Sequence, residues 1–164
     1  MRFQALTLSV VLALSPVWPI AAADIYLVRH AEKVTDGSPD PDLTDTGRQR
    51  AENLATILES AGVKRIFSTD YHRTRSTAAP LAELLALPIE LYDPDDLEGL
   101  ATRLLGVDDS ALVVGHSDTT PELVDLLGGE GGPPIDEVTE YDRLYLVEIR
   151  DGATQRTILL HTPP

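Results

Sequence analysis

The chain has 164 residues and no cysteine. That excludes disulfides, thiolate nucleophiles and cysteine-ligated metal sites. It has one tryptophan, one methionine and two phenylalanines. Positive charge is scarce: 13 Lys and Arg face 27 Asp and Glu, giving a formal net charge of −14 at pH 7. Nucleic acid and anionic membrane surfaces are poor partners for such a field. There is no Walker-type glycine loop, no Gly-x-Ser-x-Gly elbow and no His-Glu-x-x-His pair. A site where the few cations gather would be a positive island in an acidic protein.

The length suggests one domain, preceded by a segment of different character. Arg2 opens it, Ala5 to Leu14 are mostly apolar, and Ala21-Ala22-Ala23 supply small residues. This pattern predicts a secretory signal peptide over residues 1–23, cleaved after Ala23, and a secreted or periplasmic domain over 24–164. Pro16 and Pro19 break the apolar stretch, which is too short for a comfortable membrane span. No membrane association is expected after cleavage.

The run Ile25-Tyr26-Leu27-Val28 reads as a buried strand and stops at Arg29-His30. The run Ala111 to Gly115 repeats the arrangement and stops at His116. In an open α/β sheet, ligands bind beyond the carboxyl ends of the strands. Two strands each delivering a histidine to one rim describe a catalytic geometry, whereas a lone strand-end histidine is an ordinary surface residue. His72 and His161 lack that setting and read as structural or solvated.

Between these runs the pattern alternates. Thr44 is the expected N-cap of a helix with Ala51, Leu54, Ala55 and Leu58 on one face, closed near Gly62. Lys64 to Ser68 reads as a strand, His72 to Leu85 as a helix kinked at Pro80, Ile89 to Tyr92 as a strand and Asp96 to Leu105 as a helix. Thr119 or Thr120 should cap a helix with Pro121 in its first turn. Leu144 to Ile149, the turn pair Asp151-Gly152 and Thr157 to Leu160 form a hairpin. The fold class expected is therefore α/β: a mainly parallel sheet with helices on both faces and a C-terminal antiparallel β-hairpin.

Arg73 opens a helix on the same rim as the two histidines, and Lys33 and Ser117 flank them. Arg75 reads as a surface residue. Lys33 taken alone reads as a solvated charge, and Ser117 belongs to a segment whose main task is to cap a helix. Two arginines and two histidines converging on one point suit a tetrahedral dianion, because a guanidinium fork matches phosphoryl oxygens. A neutral imidazole can attack phosphorus, and the remaining cations can stabilise charge on the equatorial oxygens. No metal and no cofactor is expected, since the clamp is already cationic.

The segment Leu27 to Lys33 resembles the Arg-His-Gly signature of the histidine phosphatase (phosphoglycerate mutase-like) superfamily. Leu43-Thr44-x-x-Gly47 with Ala51, Ser68 through Arg73 to Thr77-Ala78, and Val113 to Ser117 resemble its other motifs in order. The resemblance implies His30 as nucleophile and Arg29, Arg73 and His116 as the phosphate pocket. Ala31 departs from the family's glycine, tolerable if φ there is not positive. The general acid is ambiguous: Asp93, Asp95, Asp96 and Glu98 crowd the end of the third strand, Asp118 follows the second histidine by two positions, and Glu32 follows the first. Asp93 is the expected acid, because it stands closest to its strand end.

These features predict a small secreted, metal-independent phosphatase acting on a small phosphorylated substrate. A short chain has few residues to spare for a lid, so water should reach a phosphohistidine and favour hydrolysis over transfer. The alternatives are a non-catalytic phosphate-binding domain on the same fold and a phosphohistidine phosphatase. A secreted location weighs against the second.

Overall fold

The structure, a computed structural model, describes residues 22–164. The expected signal peptide lies outside the described residues apart from Ala22 and Ala23, which open the first strand. The elements run β1 (Ala22–Arg29), α1 (Asp45–Leu58), β2 (Arg65–Ser68), α2 (His72–Leu85), β3 (Ile89–Leu91), α3 (Leu97–Leu105), β4 (Ala111–Gly115), α4 (Thr119–Leu126), β5 (Arg143–Arg150) and β6 (Ala153–His161). They form one six-stranded sheet in the order β3-β2-β4-β1-β5-β6. The first four strands of that order are mutually parallel, and β5 and β6 continue it antiparallel. This is the architecture expected from the sequence.

Side chains alternate across a strand, and both faces of the central strands are covered. Ile25, Leu27, Phe67 and Val113 pack with Leu100, Leu104, Leu123 and Leu127 of the α3–α4 side. Val28, Ile66, Leu112 and Val114 pack with Leu54, Leu58, Ala78 and Leu81 of α1 and α2. Two-sided burial is why β1 and β4 read as continuous apolar runs rather than alternating ones.

The turns follow local chemistry. Thr44 Oγ1 accepts a hydrogen bond from the Gly47 amide at 3.0 Å and caps α1. Gly47 has a second reason to be glycine: a Cβ there would meet the Glu32 carbonyl oxygen at 2.2 Å. Asp151 and Gly152 both have positive φ, 53° and 72°, the geometry of a type I′ hairpin turn. Helix α2 runs through Pro80 as one element. Helix α4 is capped by Asp118, whose carboxylate accepts from the Thr119 amide, and not by Thr119 or Thr120 as the sequence suggested. Thr119 instead accepts from the His116 amide at 3.0 Å, so it shapes the loop rather than the helix.

Candidate active site

Strand register brings the two histidines together. Arg29 pairs with Gly115 in parallel β1 and β4, so His30 and His116 each stand one residue beyond the end of neighbouring strands. The His30 amide donates to the Gly115 carbonyl at 2.9 Å and fixes that step. The two rings meet edge to face, 5.6 Å between centroids. Ser68 pairs with Val114 on the other side of β4, which puts Thr69 to Arg73 on the same rim. His30, Lys33, Tyr71, Arg73, Asp95 and His116 line a cleft of about 330 Å³ there, with Ser117, Asp118 and Glu137 at its edges.

His30 is 3% exposed. Its Nδ1 donates to the Ala31 carbonyl at 2.8 Å, which places the lone pair of the neutral ring on Nε2. Burial pushes its pKa down to about 3, helped by Arg29, His116 and Arg73 and opposed by the Ala31 carbonyl. The imidazole is therefore unprotonated at neutral pH. Ala31 is fully buried, is not among the positive-φ residues, and donates its amide to Thr77 Oγ1 at 3.0 Å. The departure from glycine thus fits the backbone without strain.

His116 is held by a hydroxyl chain. Thr74 donates to the Thr69 carbonyl at 2.9 Å, Thr69 donates to Thr74 Oγ1 at 3.0 Å, and Thr69 Oγ1 is left to accept from His116 Nε2 at 3.0 Å. Burial lowers the His116 pKa to about 4, with Arg73 adding to the effect and Asp118 opposing it. Tyr71 stands edge-on to His116 at 5.3 Å.

The two arginines differ. Arg29 Nη1 donates to the carbonyls of Asp136 and Glu140, at 3.2 and 2.8 Å, and its Nη2 donates to the Glu137 carbonyl at 2.8 Å. Its guanidinium also lies 4.1 Å over the Tyr141 ring. Only its buried Nε is without a partner. Arg73 lies over Tyr71 at 4.3 Å and 3.5 Å from Asp40, and its Nε and Nη1 are buried without hydrogen-bond partners. Among the described residues, the buried side-chain nitrogens and oxygens that lack a partner all belong to these two arginines. Such orphans are rare unless a ligand completes them. Arg75 is tied to Asp70 on the surface.

The carboxylates sort by position. Glu32 is held by Arg50 through Nε and Nη2, and the largest influence lowering its pKa is that hydrogen bonding, so it is no proton donor to the cleft. Asp93 is exposed, is absent from the cleft lining, and accepts from the Asp95 amide at 3.0 Å. Asp95 and Asp118 do line the cleft. Lys33 stands 3.7 Å from Glu137 across the mouth. Tyr71, Tyr141, Asp40 and Glu137 carry no local sequence signal and enter the site only through tertiary contact.

The model of the histidine phosphatase superfamily (branch 1) matches residues 25–95, which hold β1 through β3, His30 and Arg73. Over those residues the chain is similar to this superfamily. "Probable phosphoglycerate mutase GpmB" of Escherichia fergusonii is 40% identical over 76 residues, 43% of this chain and 35% of that protein. The protein of the same name from Escherichia coli O1:K1 / APEC is 40% identical over 65 residues, 36% of this chain and 30% of its own length. The match thus spans about a third of the relatives' length. Among solved structures, the protein histidine phosphatase SixA complexed with tungstate superposes with a TM-score of 0.65 at 21% identity, covering 85% of this chain and 95% of that one. A mycobacterial glucosyl-3-phosphoglycerate phosphatase also gives 0.65, at 15% identity, covering 85% and 98%. Both likenesses concern the fold. The motif residues His30, Arg73 and His116 line one cleft.

Proposed function

We propose that the protein hydrolyses phosphomonoesters through a phosphohistidine on His30. The carrying observation is the pairing of a buried neutral imidazole, its tautomer set by Ala31, with orphaned guanidinium nitrogens of Arg73 and Arg29. The Nε2 lone pair attacks phosphorus while the ester P–O bond breaks. A protonated Asp95 gives its proton to the leaving oxygen, and the alcohol departs. Water then attacks phosphorus, passes a proton to Asp95, and the N–P bond breaks with its electron pair returning to Nε2. Nε2-phosphorylation makes the ring cationic, and the Ala31 carbonyl continues to accept from Nδ1. Arg73 balances charge on the phosphoryl oxygens, with the neutral His116 ring packed beside them in the cleft.

Asp95 replaces Asp93 in this reading because its carboxylate lines the cleft and is free of hydrogen-bond and ion-pair partners among the described residues, whereas Asp93 is used by the Asp95 amide. No step uses a metal. Among the described residues, no three His, Asp or Glu are grouped to hold one. A secreted location, from residues 1–23, remains part of the proposal. The tungstate bound to the SixA structure is a tetrahedral oxyanion of the kind this cleft would take.

The test is a phosphomonoester panel assayed in EDTA, with rapid-quench trapping of labelled phosphoryl-enzyme. The wild type should turn over and give an acid-labile, base-stable adduct, and His30→Ala should give neither. Substantial activity in His30→Ala, or EDTA inhibition reversed by a divalent ion, would overturn the mechanism. Phosphate binding without turnover of any ester would instead support the binding-domain reading.

A further inference from the structure

The sheet ends in two unlike edges. β3 is three residues long, and its Glu90 is engaged by Arg65 and Arg103. So short and charged an edge is a poor template for another strand. β6 is nine residues long and pairs on one side only, with β5. It carries no proline and no lysine, the usual guards of an open edge. Its one register shift lies opposite Glu148/Ile149, which leaves 156–161 as an unbroken run. Leu159 and Leu160, adjacent on that run, are each 43% exposed.

Register shows which backbone groups of the run are open. Arg143 pairs with His161, and one step on the Thr162 amide donates to the Asp142 carbonyl at 2.7 Å. Residues 142 and 162 are therefore a hydrogen-bonded pair, and such pairs alternate with non-hydrogen-bonded ones along an antiparallel ladder. Arg156, Ile158 and Leu160 thus turn their amides and carbonyls to β5. Thr157, Leu159 and His161 turn theirs outward, where among the described residues they meet no other backbone.

This open triplet is symmetric about Leu159, as a two-fold axis requires. A second copy laid antiparallel, Leu159 opposite Leu159, sets Thr157 opposite His161 and His161 opposite Thr157. Every amide of both triplets then finds a carbonyl. Ile158 and Leu160 fall opposite each other in non-hydrogen-bonded pairs, where side chains approach closest. Cross-strand pairing puts Ile158 on one face with Leu146 and Tyr26, all three half-buried. The second copy would extend that half-covered apolar face.

Charge favours a copy of this chain as the occupant. Two chains of net charge −14 repel each other, but β6 contains no carboxylate. Its cations, Arg156 and His161, hold the adjacent carboxylates Glu148 and Asp142 of the same chain. Two copies can therefore meet along this strand without setting acid against acid. We infer that the protein self-associates through antiparallel pairing of two β6 edges about Leu159, joining two six-stranded sheets into one. The contact is isologous and closes at two copies. It is independent of the phosphate-cleft reading.

The test is sedimentation equilibrium of the purified protein from about 1 to 200 μM. One strand per copy makes a contact smaller than the roughly 800 Å² per partner of a standard interface, so a micromolar dimer is expected, with mass rising from one chain toward two. Amide exchange reads the register: protection at 157, 159 and 161 should rise with concentration, while 158 and 160 stay protected by β5 throughout. Leu159→Lys opposes like charges at the axis and should raise the dissociation constant by about tenfold or more, with circular dichroism unchanged. Leu84→Lys, at an exposed position of α2, should not. The chain has no cysteine, so Leu159→Cys should oxidise to one cross-linked dimer, a readout that stands even where the lysine variant fails to fold. A mass that grows past two chains, or a dimer unaffected by Leu159→Lys, would overturn the inference. So would a mass fixed at one chain up to 200 μM, which would leave the edge to an extended segment of a different protein.

Discussion

Arg29 and Glu140, 111 residues apart, are joined by a 2.8 Å hydrogen bond from Arg29 Nη1 to the Glu140 carbonyl. With its bonds to the carbonyls of Asp136 and Glu137 and its stacking on Tyr141, this makes Arg29 the pin that holds the 136–141 turn against the cleft. Burial lowers the pKa of its guanidinium, opposed by Tyr141 and Glu137, yet an arginine stays charged. Arg29→Ala should therefore release the turn as well as weaken phosphate binding. Amides 136–141 should lose hydrogen-exchange protection, and the fold should lose about 2–4 kcal/mol from a buried charge-assisted cluster. Unchanged exchange there, with activity lost, would show that Arg29 acts on the phosphate alone.

Arg73 and Arg75 separate cleanly. Arg73→Ala removes a cleft-lining side chain with unpartnered buried nitrogens and should lower kcat by about 10²–10³-fold. Arg75→Ala removes a surface partner of Asp70 and should change stability by less than about 1 kcal/mol and activity little. Steady-state kinetics on both variants decides it, and a reversed ranking would put the wrong arginine in the cleft.

The proton donor is identified by leaving-group dependence. An alkoxide needs a proton in the transition state and a nitrophenolate scarcely does. Asp95→Asn should slow alkyl phosphate hydrolysis by about 10²–10⁴-fold and the aryl ester far less, while Asp93→Asn should affect both alike. If Asp118→Asn alone shows the differential loss, the acid is the carboxylate next to His116 instead.

Acid should unfold the protein through its histidines. His30 and His116 have folded pKa values near 3 and 4, below the ordinary 6.5, because burial disfavours their charged forms. Between about pH 6.5 and 3 the unfolded chain binds more protons than the folded one, so this contribution is full above 6.5 and is lost as pH falls through that window. Denaturant titrations should show on the order of 6 kcal/mol lost from pH 7 to 4 beyond the carboxylate effect, about half from each histidine. His30→Ala should flatten the slope, and an identical slope in that variant would contradict the buried neutral ring.

Much of the site is visible along the chain because its causes are local. A strand buried on both faces must be continuously apolar, so the polar residues where it stops, Arg29-His30 and His116, stand at its end. Gly47 and Thr44 follow from the start of one helix and its approach to Glu32. The hairpin turn is written in Asp151-Gly152. From these the sequence by itself determined the order of elements, the class of sheet and the identity of the rim histidines.

Tertiary structure decided what depends on chain segments far apart. Asp93, Asp95 and Asp118 are alike as sequence, and only the packing of α3 and α4 shows that Asp95 and Asp118 face the cleft while Asp93 serves its own loop. The Glu32 carboxylate is withdrawn by Arg50 of α1, and the Nη nitrogens of Arg29 are withdrawn by a turn more than a hundred residues away. Tyr71 and Tyr141 arise the same way. Hydrogen bonds and charges act over a few ångströms whatever the separation along the chain, so local pattern locates a charged group on an element, and the fold decides which partner it meets.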